Sequence, residues 1–249
     1  MQSTSTNDTR PEPRWLTGLV HAEPRAPLMF PYLVYLLILA GQDLIPPSGW
    51  PIFIGFHIVM TVAVCWQFRR HFPPLGRAHF VTASVIGLLA CAWWVAGQHW
   101  LDRSRVFGLS LGGRLPLYPG ESRVVDPQSE LGSGSLFWAF ASLKMLRAVT
   151  VVPFVEELLW RGFLLRAFVN WNHYDQVAWG RFSGRAFWGT AILSTIQHPD
   201  NWVVSIGCWL IFNGLFYWKK SLLCVMVCHA ITNLALYLYV LRAHDWRFW

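Results

Sequence analysis

The chain has 249 residues, of which 54 % are hydrophobic and only 13 % charged, with a mean hydropathy of +0.36. A soluble domain carries about 25 % charged residues, so the composition excludes an ordinary soluble globular protein and points to an all-α, polytopic membrane protein. The net charge of +7 comes from Lys and Arg scattered among connecting segments, which excludes nucleic-acid binding and assigns the surplus to loops that set topology.

Residues 1–27 read as a polar tail with Arg10, Arg14 and Arg25. No short apolar core precedes a small-residue cleavage site, so the first apolar segment is expected to remain as an anchor. Residues 28–249 then read as a single transmembrane domain. A spanning helix needs about 20 mostly apolar residues. On that measure the segments fall near 28–45, 50–68, 80–101, 135–152, 153–170, 186–198, 202–218 and 221–241, or about eight transmembrane helices. Pro46-Pro47-Ser48-Gly49 breaks the chain after the first, and Arg69-Arg70-His71 with Pro73-Pro74 after the second. Residues 102–134 form a polar loop, and its Gly112-Gly113 pair lacks the Gly-Lys-Ser/Thr of a phosphate loop. Lys144 and Arg147 are expected to snorkel to the interface. Pro153 fits the first turn of a new helix, as prolines do.

The five cysteines, Cys65, Cys91, Cys208, Cys224 and Cys228, all lie in apolar runs without a CxxC pair. They read as small buried residues rather than a disulfide framework or zinc thiolates.

Chemistry concentrates in Val155-Glu156-Glu157-Leu158-Leu159-Trp160-Arg161. Ionisable groups in such a segment cost roughly 2.5–3.5 kcal/mol each on insertion scales, and by default mark a functional site. Glu157 and Arg161 are four apart, on one helical face and in the favourable order for an ion pair. Glu156 points about 100° away, is left without a local partner, and is free to act as a general base. His198 ends a later apolar segment. His229 lies inside the last one, with Asn233 on the same face four residues on. His57 has no such companions, and Asp43 and Asn213 are weaker candidates for a cavity wall.

The order Glu156-Glu157-x-x-x-Arg161, then His198, then His229-x-x-x-Asn233, resembles the CAAX prenyl protease family in its broad prokaryotic form, related to the Rce1-type enzymes. The resemblance covers about 153–239, the motif-bearing core. The tracts 155–166 and Gln197-His198-Pro199-Asp200-Asn201-Trp202 also resemble a bacterial branch found with exosortase protein-sorting systems. One departure stands out: Ser194 occupies the place, four before the histidine, where the family usually has Phe, which implies an altered cavity shape. The resemblance implies an intramembrane endopeptidase. In it Glu156, helped by His198, activates water; His229 and Asn233 stabilise the oxyanion; and Glu157 with Arg161 holds the site. It implies no cofactor and a metal-independent glutamate mechanism. Zinc on a His/Glu set is the alternative, although no HExxH is present. The implied partners are a membrane-associated peptide or protein and the lipid bilayer, in a bacterial inner membrane.

Two other classes fit the same composition: a non-catalytic membrane scaffold or chaperone, and a transporter using the buried Glu and His groups as a proton relay. If the Pro153 helix is a separate crossing, eight crossings bring His198 to the side where Glu156 begins and leave both termini on one side. Arg69, Arg70 and Arg77 would then put the N-terminus in the cytoplasm, while Lys219-Lys220 would face outward, against the positive-inside rule.

Overall fold

A bilayer offers the backbone no hydrogen-bond partners, so each apolar run must close its own bonds as a helix. The computed structural model describes residues 11–106, 109–116, 118, 120 and 124–249; Met1–Arg10 of the expected tail and part of the 102–134 loop lie outside the described residues. The order is α1 (Arg14–Ala22), α2 (Ala26–Ala40), α3 (Trp50–Phe68), α4 (Phe80–Asp102), α5 (Pro127–Leu131), α6 (Ser135–Leu146), α7 (Val152–Glu157), α8 (Leu165–Ala167), α9 (Gly184–Leu193), α10 (Trp202–Lys219) and α11 (Leu222–Ala243). Two-residue strands, Arg105–Val106 and Leu109–Ser110, pair antiparallel in the loop after α4. The all-α membrane architecture is as expected. The tail differs, because α1 is helical and buries Leu16 against Ala26 and Phe68.

The main difference lies at Pro153. The helix does not restart there: residues Ser135–Ala167 form one continuous run of 33 residues through α6, α7 and α8. Proline removes an N–H and crowds the preceding turn, which ordinarily kinks or ends a helix. Here the turn just before it, Arg147–Val151, is wound wide in the π register, and Val152 N–H reaches back to Arg147 O. A second wide stretch, Leu158–Leu164, joins α7 to α8. With Val152 bonded to Arg147 and Pro153 without an N–H, Ala148 O has lost its helical donor. Asn233 Nδ2, from α11, fills the vacancy at 2.7 Å.

With those two segments joined, the two crossings expected at 135–152 and 153–170 are one helical run. Among the described residues, five helical runs are long and apolar enough to cross a membrane: 26–44, 47–71, 80–102, 135–167 and 222–243. The pair α9 and α10 runs out and back between the fourth and fifth of them. At one end of the bundle, Tyr174 Oη donates to Pro24 O at 3.0 Å, Leu223 N–H to Leu75 O at 2.7 Å, and Ser221 Oγ to Arg77 O at 2.7 Å. At the other end, Leu115 N–H donates to Pro199 O at 2.7 Å, and the Trp50 and Phe140 rings meet at a tilt with centroids 5.1 Å apart. The α1 end and the chain's last helix therefore finish on opposite sides, and Lys219-Lys220 lies on the side of Arg77. Joining the two segments removes the conflict that eight crossings created.

Lys144 and Arg147 do not snorkel. Both are buried: Lys144 Nζ sits over Trp249 at 4.7 Å, and Arg147 Nη1 meets His57 Nδ1 at 3.0 Å, which gives His57 the companion its sequence context lacked.

α4 and α11 run parallel in close contact, and the approach is set by Gly87. A Cβ there would lie 2.6 Å from Cys228 O and 3.0 Å from Ile231 Cβ, and Thr232 Oγ1 donates to Gly87 O at 3.0 Å. Small residues at such crossings let membrane helices approach to backbone contact. Gly87→Ala is expected to cost roughly 1–3 kcal/mol, the range for overpacking. It should be read as a lowered melting midpoint of the detergent-solubilised protein; an unchanged midpoint would show that the two helices part freely.

Candidate active site

The wide π turns and Pro153 place Glu156 and Glu157 in the middle of the bundle, both buried. Their side chains diverge as their spacing predicts. Glu157 accepts from Arg161 Nη1 through both carboxylate oxygens, at 3.1 and 3.0 Å, and its Oε1 also lies 2.9 Å from His229 Nδ1. Arg161 is fully buried. It donates through Nε to Asn213 Oδ1 at 3.1 Å, and its guanidinium stacks against Trp209 and Phe212. Asn213 in turn donates to Phe187 O at 3.0 Å and Thr190 Oγ1 at 2.9 Å, both on α9. Asn213 is thus a clamp for Arg161 rather than part of a cavity wall. Through this one network the motif helix is tied to α9, α10 and α11.

Glu156 faces the other way. It lines a cavity of about 590 Å³ together with His198, His229 and Asn233. Its Oε1 accepts from Gln197 Nε2 at 3.1 Å, while its Oε2 is buried without a hydrogen-bond partner. A buried polar atom without a partner is rare in folded proteins and calls for an explanation. Gln197 also donates to Tyr32 Oη in a short contact, which fixes the amide between α2 and the motif helix. The His198 ring lies against two indoles, its centroid 5.1 Å from that of Trp94 and 5.5 Å from that of Trp209. All four residues expected to be catalytic therefore border one space, with Glu157 and Arg161 directly behind it.

Residues 138–235 match the family model described as type II CAAX prenyl endopeptidase Rce1-like. This stretch is Rce1-like. It takes in each of the six site residues and indicates a CAAX-type intramembrane protease, a hydrolase that acts on a membrane-associated peptide. No curated protein and no solved structure matches the chain.

Within the Rce1-like stretch, three placements differ from the sequence reading. Asn233 lines the cavity but already spends one N–H on Ala148 O, so it is in part a structural replacement for the proline's missing donor. His229 is engaged at Nδ1 by Glu157, which joins the supporting pair to the residues expected to be catalytic. Ser194, at the family's Phe position, does not line the cavity. It is fully buried, donates to Ala191 O at 2.6 Å and meets Ser205 Oγ at 2.7 Å, so it staples α9 to α10. Asp43 is exposed and borders a separate cavity of about 610 Å³, beside Lys144. Sequence reasoning missed Gln197 and Tyr32. Gln197 carried a signal, as a polar side chain next to His198 at the end of an apolar run; Tyr32 carried none. Among the described residues, no group of three or more His, Cys, Asp and Glu stands where it could hold a metal ion.

Glu157 is fully buried. Removing one partner of a buried pair strands the other charge, at a cost of about 3–5 kcal/mol. Arg161→Met should lower stability by about that amount, measured by thermal unfolding in detergent. Adding Glu157→Gln should recover part of the loss, since the stranded charge is then gone.

Proposed function

We propose that the chain is an intramembrane endopeptidase in which Glu156 is the general base for a water that attacks a peptide carbonyl. The observation that carries this reading is Glu156, which borders the same cavity as His198, His229 and Asn233 and whose buried Oε2 has no hydrogen-bond partner. A carboxylate with one oxygen held and the other free is suited to orient a water and accept its proton. Gln197 fixes the first oxygen at 3.1 Å and leaves the second for the reaction. His198, held edge-on to Trp94, helps position that water.

The hydroxide equivalent adds to the carbonyl carbon, the carbonyl oxygen takes the negative charge, and collapse of the adduct expels the amine as Glu156 returns the proton. The oxyanion needs donors. A carboxylate only accepts, so His229 Nδ1 carries the proton shared with Glu157. Its Nε2 then donates when the ring is doubly protonated, and Glu157 supplies the countercharge. Asn233 has a second N–H beyond the one given to Ala148 O. Each such donor is worth roughly 2.7–4 kcal/mol of transition-state stabilisation. Glu157 and Arg161 hold the arrangement from behind. The step is balanced with water as the only co-reactant and uses no metal or organic cofactor.

The substrate is a membrane-associated protein or peptide, and nothing in the cavity lining assigns it a prenyl group. A bacterial cell membrane is the setting implied by the prokaryotic resemblance. Glu156→Gln keeps the size and the Gln197 contact and removes the base. It should abolish accumulation of cleaved products, compared by membrane proteomics against the parent strain, with insertion and melting midpoint preserved. A fully active Glu156→Gln protein refutes the mechanism.

A further inference from the structure

The contacts that join 153–170 to the preceding helix also fix which side of the membrane each connector occupies. One end of the bundle holds the N-terminal segment, the α3–α4 connector, residues 168–183 and the α10–α11 turn, joined by Tyr174 to Pro24 and Ser221 to Arg77. These pieces carry Arg14 and Arg25; Arg69, Arg70 and Arg77; Arg181; and Lys219 and Lys220. The other end holds 41–49, the loop after α4, 197–201 and the C-terminal residues. Its two short connectors carry no Lys or Arg, only Asp43 and Asp200, while the loop after α4 and the C-terminal residues carry Arg103, Arg105, Arg114, Arg123, Arg242 and Arg247, fewer than the first end holds. Orientation follows the Lys/Arg bias of short loops near helix ends, and the first helix usually dominates. Around α2 the bias is clear, with Arg14 and Arg25 before it and no basic residue in 41–49. The basic end is therefore the cytoplasmic one.

The cavity that Glu156 borders opens at the opposite end. Its rim is Asp102, Arg114, exposed Val124, Asp200 and Arg247. Arg114 closes on Asp200 at 2.7 and 2.9 Å, a contact between the α4 loop and the 197–201 connector. Toward the basic end the lining stops at Glu156 along the motif helix and at Phe212 on α10, and on α11 it begins only at His229. Leu158, Phe163 and Leu222 are buried there, and a Cβ at Gly162 would touch Leu28 and Leu222 at 3.7 and 3.8 Å.

We propose that the catalytic cavity opens on the non-cytoplasmic face, so that its substrates are peptide segments that lie on, or have been moved to, the outer side of the membrane. The substrate half of this inference rests on the proteolytic reading of the cavity; the sidedness does not. A tail that stays in the cytoplasm has no route to Glu156, because the packed layer around Gly162 lies between them.

Single cysteines test the sidedness without reference to activity. Val124→Cys sits on the cavity rim and Asn172→Cys is exposed at the basic end. In sealed spheroplasts a membrane-impermeant maleimide should label Val124→Cys fully. Asn172→Cys should be labelled only after permeabilisation. The parent chain, with its five native cysteines, gives the background. Ser129→Cys, exposed on α5, repeats the rim measurement if Val124→Cys folds poorly. The reverse pattern, or labelling of both sites from outside, overturns the proposal. Adding Glu156→Gln should leave the labelling unchanged. A protein that labels as expected yet cleaves normally with Glu156→Gln would refute the mechanism and leave the sidedness standing.

Discussion

The structure depends on one carboxylate. Glu157 is removed entirely from solvent in the middle of a helical bundle, and its neighbours are arranged to make that tolerable. Taking a carboxylate out of water costs several kcal/mol even after relaxation. The return comes from a forked arginine contact, a histidine at 2.9 Å and, behind the arginine, the Asn213 amide with its own two acceptors on α9. Because α9, α10 and α11 each supply a member, none of the three can shift without leaving a buried polar or charged group short of a partner. The carboxylate proposed as the base benefits without taking part: Glu156 is positioned by a backbone that Glu157 has locked.

Pro153 governs the other half of the geometry. It costs the helix a hydrogen bond, and the chain answers with a wide turn before it and an amide from another helix beside it. The same amide then faces the cavity. A single residue thus repairs the backbone and lines the cavity where the proposed mechanism needs a donor. The repair also keeps the helix continuous, so the two ends of the chain separate.

Much of the site was legible in the sequence, for a physical reason. Helical spacing alone separates Glu156 from the Glu157–Arg161 pair and puts His229 and Asn233 on one face, and each of those local relations holds. The apolar runs likewise gave the helices to within a few residues, α3 and α10 most closely. What the sequence did not show was non-local. Proline at the first turn is read as a helix start, and only Asn233, eighty-five positions from the Ala148 carbonyl it caps, reveals why it need not be. The Arg147–His57 pair spans 90 residues and the Gln197–Tyr32 contact 165, distances over which no periodicity speaks. Lys144 seemed poised to reach water because long cations near helix ends usually do, but Phe140 and Trp249 offer it ring faces instead.

Between Leu193 and Trp202 the chain abandons the α-helix for short turns, with Gln197 and His198 both bonded back to Ser194 O and Asn201 to His198 O. Irregular backbone at membrane depth persists only where it lines a water-filled space or is buried in protein. Gln197 through Asn201 all line the cavity, so the polar backbone of this connector faces an open space or packed protein rather than lipid. On the proposed reading, water and substrate enter past this rim and need not cross hydrocarbon, while the packed layer around Gly162, Leu28 and Leu222 lies on the other side of the motif helix's carboxylates.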